Sequence, residues 1–242
     1  MTERWLTGRV TENRHWTETL FSLRVEGARL GYEAGQFVRI ALDINGERVA
    51  RAFSFVNPPD DPLLEFYGVI VPQGPLSPRL AKLKAGDALY IAPNPAGFLV
   101  LREVPDAEAL WLVATGTGLA PFLSILRTEV PWRRFRNVVL VHAVRHANEL
   151  TYKEVIRGTP ARYVTFVSRE ATPGSLTGRI PAAIADGRLE QAAGLPLGAP
   201  SSHVMLCGNP QMLRDATAAL AARGMRKHRR RAAGHITVES FW

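Results

Sequence analysis

The segment ALWLVATGTGLAPFLSIL, residues 109–126, decides how the chain is organised. ALWLVA at 109–114 reads as a buried strand, and Thr115-Gly116-Thr117-Gly118 reads as a turn. A helix follows, PFLSILRTEV at 121–130, with Pro121 in its first turn, where a missing N–H costs nothing. Strand, glycine turn and helix together form the repeating unit of a parallel sheet. Gly116 and Gly118 let the backbone turn tightly and approach a ligand. The free N–H groups of such a turn, with a helix dipole behind them, suit a phosphate. By itself the stretch leaves open a tight turn that binds nothing.

Toward the C-terminus the unit repeats. NVVLVHAV (137–144), RYVTFVS (162–168) and HVMLC (203–207) read as strands. NELTYKEVI (148–156), RIPAAIADG (179–187) and QMLRDATAALAARG (211–224) read as helices. The alternation predicts an α/β domain with a parallel sheet. CGNP at 207–210 is a second glycine turn, in which Gly208 bends, Asn209 caps and Pro210 opens the helix. Two such turns at carboxyl strand ends lie where parallel sheets bind ligands. Cys207 is a small buried apolar residue unless its place beside Gly208 puts it at that ligand. Arg145, Arg169 and Arg179 stand near strand ends. An acid after the second strand would bind ribose hydroxyls, whereas VHAVR carries an arginine, whose planar fork suits a 2′-phosphate. The terminal ITVESFW alternates like a strand and ends on two aromatics. Either the core pins it or a ring stacks on a flat ligand.

Toward the N-terminus the period is two. WLTGRVTE (5–12), TETLFSLRV (17–25), QFVRIALDI (36–44), ERVARAFSF (47–55), LLEFYGVIV (63–71) and DALYIA (87–92) predict a small antiparallel barrel. Asn45-Gly46 is a hairpin turn. One short helix, LSPRLAKL at 76–83, interrupts the strands, with Ser77 as its cap and Pro78 in its first turn. The pattern changes within 100–107. This predicts an all-β unit over 1–102 and an α/β unit over 103–242, with a ligand site in the cleft between them. RAFS at 51–54 places a charge, a ring and a hydroxyl on one strand just before Pro58 and Pro59. That arrangement suits a flat, charged ligand better than a plain surface strand.

Composition narrows the function. The 242 residues are 46% apolar and 21% charged, as in a globular protein with a sizeable core. A lone cysteine rules out an internal disulfide and a thiolate-held iron–sulfur cluster, which needs about four. With no signal-like N-terminus and no run of about 18 apolar residues, a cytoplasmic protein without a membrane span is expected. The net charge of +8 favours acidic partners. RKHRRR at 226–231 is either a solvated face or a polyanion site. Nucleic-acid binding would explain that run but neither RAFS nor the two glycine turns.

In order and spacing, these motifs resemble the bacterial ferredoxin/flavodoxin–NADP reductases. The resemblance rests on RAFS (51–54), LEFYGVIVPQGPLSPRL (64–80), LVATGTGLAPFLSIL (112–126), SREATPGSLTGRIP (168–181), HVMLCGNPQML (203–213) and VESFW (238–242). It implies an FAD-binding barrel followed by an NADP-binding α/β domain. The expected activity is hydride transfer between NADPH and FAD, with single electrons passing to or from an acidic ferredoxin or flavodoxin. Nicotinamide and flavin would meet at about 3–3.5 Å.

On this resemblance Arg51 would hold the FAD pyrophosphate beside Ala52, Phe53 would pack on the flavin, and Ser54 would reach its reactive edge. The family commonly has tyrosine at position 53; phenylalanine keeps the stacking and loses a hydroxyl. Tyr67, Gly68, Val69 and Ile70 would line the flavin, and Pro75, Leu76 and Ser77 would face the FAD phosphates. Thr117 would sit at the domain seam, with Thr115, Gly116, Gly208 and Asn209 around the NADP. Ser168 and the three arginines would grip the 2′-phosphate end. Cys207 would lie beside the nicotinamide, Glu239 would serve proton or hydride transfer, and Phe241 and Trp242 would cover the flavin or adenine. A monomer without a nucleic-acid partner is expected. The oxygenase-system reductases and the free flavin or iron reductases are the neighbouring activities.

Overall fold

The computed structural model describes residues 4–240. Six antiparallel strands come first: β1 Leu6–His15, β2 Leu20–Glu26, β3 Phe37–Ile44, β4 Glu47–Ser54, β5 Leu64–Val69 and β6 Ala88–Ile91. Their order is β4-β3-β6-β1-β2-β5. The two outer strands meet where Phe55 bridges Phe66 and Val56 N–H donates to Glu65 O at 2.9 Å, so the sheet curls back on itself. Asn45 and Gly46 join β3 to β4 with φ of 53° and 83°, the left-handed pair that a two-residue hairpin needs. Alternate residues such as Leu23, Ile40, Phe66, Leu89 and Ile91 fill the inside.

The helix α1, Ser77–Leu80, plugs one end with Leu76 and Leu80. It is a single turn, shorter than expected, because the chain tightens to i→i+3 bonds at Lys82 and Leu83. Ser77 does not cap it. Ser77 is its first helical residue, and its Oγ accepts the N–H of Val71 at 2.9 Å.

The second sheet is wholly parallel: β7 Ala109–Thr115, β8 Asn137–Val144, β9 Arg162–Val167, β10 Leu176–Thr177, β11 Ser202–Gly208 and β12 Ile236–Ser240. Its order, β10-β9-β8-β7-β11-β12, reverses direction beside β7. The helices are α2 Ala120–Leu126, α3 Val130–Arg134, α4 Lys153–Arg157, α5 Ile180–Ala185, α6 Arg188–Ala193 and α7 Pro210–Ala221. The period of two along β7 serves both faces. Leu110 and Leu112 pack toward α2, while Trp111 and Val113 pack toward α5 and α7. None of the described helices is long and apolar enough to cross a membrane.

Two predicted helices are cut short by contacts across the seam between the sheets. The expected helix over 148–156 begins only at Lys153, because Tyr152 is left-handed (φ 55°). That backbone sends the Tyr152 ring against Trp16, with centroids 4.5 Å apart, and its hydroxyl donates to Glu65 at 2.8 Å. Helix α2 stops at Leu126, and Arg127 reaches Asp61 at 3.5 Å and Glu65 at 3.7 Å. The short α3 and α6 and the two-residue β10 were not foreseen. The apolar core is continuous across the seam: Leu20, Val56, Tyr67 and Leu99 share one cluster with Leu110, Leu123 and Leu140.

Asn57 is the polar hub of this seam. Fully buried, it accepts Glu65 N–H on Oδ1 at 2.7 Å and donates Nδ2 to the Tyr32 hydroxyl at 2.8 Å. Its carbonyl accepts the Ser124 hydroxyl at 2.7 Å. Asn57→Ala leaves the Glu65 N–H without its acceptor and removes the donor to the Tyr32 hydroxyl, which keeps its bond to Pro58 O, at a cost of about 2–3 kcal/mol. We expect the thermal midpoint, followed by circular dichroism, to fall by about 5–10 °C.

Candidate functional site

The two glycine turns lie side by side at the point where the strand order reverses. A Cβ on Gly118 would stand 2.6 Å from the carbonyl oxygen of Cys207, and one on Gly208 (φ 130°) would overlap Thr115 Oγ1. Backbone therefore packs on backbone, and only glycine fits at either position. Thr115 Oγ1 accepts the N–H of Asn209 at 2.9 Å. Asn209 caps α7 as expected, accepting from Gln211 N at 2.9 Å and Met212 N at 3.2 Å. Thr117 is buried beneath the turn.

The expected arginines gather at the same edge of the sheet. Ser168 N–H and Oγ both donate to Val144 O, at 3.1 and 3.2 Å, and Arg169 N–H donates to Arg145 O at 3.0 Å. Arg145 and Arg169 are thereby neighbours on adjoining strand ends. Arg179 precedes α5, two residues beyond Thr177, which pairs with Val167. All three are exposed, and none makes an ion pair among the described residues. The nearby acids are turned elsewhere: Glu149 accepts the N–H groups of Arg145 and His146, and Glu170 accepts that of Ala147. Three guanidinium groups at one edge, without an ion pair among the described residues, have the charge and geometry that suit a multiply charged anion.

On the barrel side, Arg51 is exposed on β4, with Nη1 on Ala50 O at 2.7 Å. Ala52 is also exposed. Phe53 meets Phe66 edge-on at 6.4 Å, and a Cβ on Gly68 would press within 3.0 Å of the Phe53 ring. Ser54 is buried, and its Oγ has no partner among the described residues. Val69 and Ile70 are half-buried and Pro75 is exposed. Tyr67 and Leu76 are each only 2% exposed. Their side chains face the core, so only their backbone is open to a ligand. The Tyr67 hydroxyl accepts from Thr151 Oγ1 at 2.9 Å.

Glu239 lies on β12 in register with Cys207 on β11. The Cys207 thiol is fully buried, and burial, helped by the Glu239 carboxylate, pushes it well up; it stays protonated. Glu239 Oε2 faces the N–H of Phe98 at 3.4 Å, whereas Oε1 is buried without a partner. Burial pushes this carboxyl up to about 7, against the smaller opposing effect of the Phe98 N–H. Such a group exchanges a proton near neutrality. Phe37 links it to Ser54. Phe37 pairs with Ser54 across β3 and β4, and a Cβ on Gly97 would lie 3.1 Å from both the Phe37 ring and Glu239 Oε2.

Five buried side-chain polar atoms lack a partner among the described residues, and two of them, Ser54 Oγ and Glu239 Oε1, flank this seam. Unpaired buried groups are costly, so these two positions fit a ligand that brings hydrogen-bonding atoms of its own. Phe241 and Trp242 lie outside the described residues. Sequence reasoning missed Asn57, Phe98 and His142. For His142 there was a signal: an imidazole inside the apolar strand NVVLVHAV.

Residues 6–98 match the family described as oxidoreductase FAD-binding domain, and residues 112–218 match the oxidoreductase NAD-binding domain. Two flavodoxin/ferredoxin–NADP reductases, from Shigella flexneri and Escherichia coli K12, are 54% and 53% identical to this chain. Each alignment spans 98% of this chain and 99% of the relative. The chain belongs to the flavodoxin/ferredoxin–NADP reductase family. A ferredoxin NADP+ reductase from Neisseria gonorrhoeae, solved with bound FAD and NADP, superposes with a TM-score of 0.95 at 31% identity. That match covers 98% of this chain and 99% of the other. The family fold, an antiparallel curled sheet followed by a parallel one, is the architecture described above.

Glu239 ties this site to pH. Its folded value, about 7, lies above its ordinary 4.5, so the folded chain holds the proton more tightly. The resulting stabilisation is complete below about pH 4.5 and is lost as pH rises through about 7. Glu239→Gln should flatten that slope, as read from thermal melts between about pH 4 and pH 8.

Proposed function

We propose that this chain transfers electrons between NADPH and a ferredoxin or flavodoxin by way of bound FAD. The observation that carries the proposal is the convergence of two nucleotide-fitting half-sites on one seam, with Ser54 Oγ and Glu239 Oε1 unpartnered between them. Bound FAD supplies the conversion between a hydride and two single electrons. The chain's own residues orient and insulate. Arg51 is free to hold a phosphate, and Phe53, packed close over the bare backbone of Gly68, offers an apolar face beside it. Ser54 offers a hydroxyl at the strand's end, and Glu239 holds or releases a proton at Oε1. The glycine turns receive the nicotinamide coenzyme, and Arg145, Arg169 and Arg179 read its 2′-phosphate. Residues 1–102 act as the flavin domain and 103–242 as the coenzyme domain.

The arginine-rich run is a hairpin in which Arg229 pairs with Ala232. Its Arg230 guanidinium lies 5.0 Å from the centre of the Phe98 ring, and the Phe98 N–H faces Glu239. A positive surface therefore adjoins the seam, which suits an acidic carrier and a salt-dependent encounter. The protein works as a cytoplasmic monomer, and its acidic partner is the carrier rather than nucleic acid.

Two results test this. Alanine at Arg145, Arg169 or Arg179 should weaken NADPH roughly tenfold or more per residue, since a charge-assisted contact is worth about 1.5–3 kcal/mol, and should leave NADH nearly unchanged. Equal losses for both coenzymes in steady-state kinetics would sink the assignment. Arg229→Glu with Arg231→Glu should slow ferredoxin reduction at low salt while sparing a small neutral quinone acceptor. Stopped-flow absorbance distinguishes the two acceptors.

A further inference from the structure

His142 takes no part in the chemistry above, yet it is fully buried in the middle of the parallel sheet. It sits on β8 between Ala114 of β7 and Thr165 of β9. Its Nε2 is 3.2 Å from the carbonyl oxygen of Gly116, and its Nδ1 is 3.4 Å from the Tyr163 hydroxyl. A carbonyl can only accept, so Nε2 carries the proton and Nδ1 is left to accept from Tyr163. Burial pushes the imidazole down to about 4, which keeps it in this neutral form at ordinary pH.

The consequence lies in the next peptide bond. Among the described residues every peptide is trans. In a trans peptide the C=O and the following N–H point in opposite directions. β8 and β11 flank β7 on opposite sides. A Gly116 carbonyl drawn toward β8 therefore turns the Thr117 N–H away from β8, to the side on which β11 lies. Thr117 belongs to the first turn of the 3-10 helix Gly116–Leu119, where an N–H has no intrahelical acceptor. Gly116 has φ 53° and open space around its missing side chain. Gly116 gives the backbone freedom on its side of this peptide, and the opposite orientation would put a carbonyl oxygen where an anion should sit.

We propose that His142 is a positioning residue for the nicotinamide coenzyme. It locks the Gly116–Thr117 peptide so that the Thr117 N–H, and not the Gly116 oxygen, faces the coenzyme's pyrophosphate. The role rests on the coenzyme reading given under the proposed function. It differs from that of the arginines, which act at the 2′-phosphate end.

The test compares two ligands on the FAD-loaded protein, followed by flavin difference absorbance and competition. His142→Leu should bind NADP+ about tenfold more weakly, as expected for one lost hydrogen bond of this kind. It should bind adenosine 2′-monophosphate, which lacks the pyrophosphate, as the wild type does. His142→Gln, whose amide can still donate to Gly116, should recover most of the NADP+ affinity. Equal weakening of both ligands, or no weakening of either, overturns the proposal in favour of a purely structural histidine. Should the leucine variant lose its FAD, 15N NMR of wild-type His142 decides: protonation at Nε2 supports the lock, and protonation at Nδ1 overturns it. A wild type that binds neither ligand overturns the coenzyme reading itself.

Discussion

Helix α2 is fixed at both ends, and the site exists because of it. All seven of its residues are buried. It begins at the Thr115–Gly118 turn and ends at Arg127, which is held by Asp61 and Glu65 of the barrel. In between, Ser124 donates to Asn57, three residues beyond the RAFS strand. A short, fully packed helix is a rigid spacer. Moving the barrel against the sheet would expose a shared apolar core and break buried hydrogen bonds together. The half-site on β4 and the half-site on the glycine turns are therefore held in one fixed relation, which pre-organised transfer chemistry demands.

Electrostatics divides the site into two regimes. Arg51, Arg145, Arg169 and Arg179 are exposed and make no ion pair among the described residues, so water solvates them and little would have to be dismantled to admit an anion. Glu239 and Ser54 are the opposite case. Burial raises the Glu239 carboxyl to about 7 and leaves one oxygen unpartnered. Such strain persists only where the surrounding fold enforces it, and it marks functional sites more often than structural ones. The Phe98 N–H, on a loop from the barrel, faces a carboxylate on the last strand of the other sheet. The titrating group is thus itself a product of the seam.

Burial also separates contacts made by side chains from contacts made by backbone. Tyr67, Leu76 and Cys207 look like site residues when only their positions in the chain are known. Their side chains fill the core, and what they can present is the peptide beside them, next to Gly68, Ser77 and Gly208. The glycines share this logic, since two of them let the β7 and β11 turns touch backbone to backbone.

By itself the sequence determined the element types and their succession, because periods of two and 3.6 and glycine or proline punctuation are local signals. It also determined the two glycine turns, the Asn209 cap, the arginines near strand ends and the family, since each depends on residue type at short spacing. Only the tertiary structure decided where helices stop. Tyr152 and Arg127 end theirs to reach partners on the other side of the seam, and no local propensity reports a partner 60 or more positions away. Likewise, Ser77 leaves its cap for Val71, Glu239 is raised by enclosure, and His142 is aimed at Gly116. Each of these depends on which surfaces meet, and long-range packing sets that where local pattern cannot.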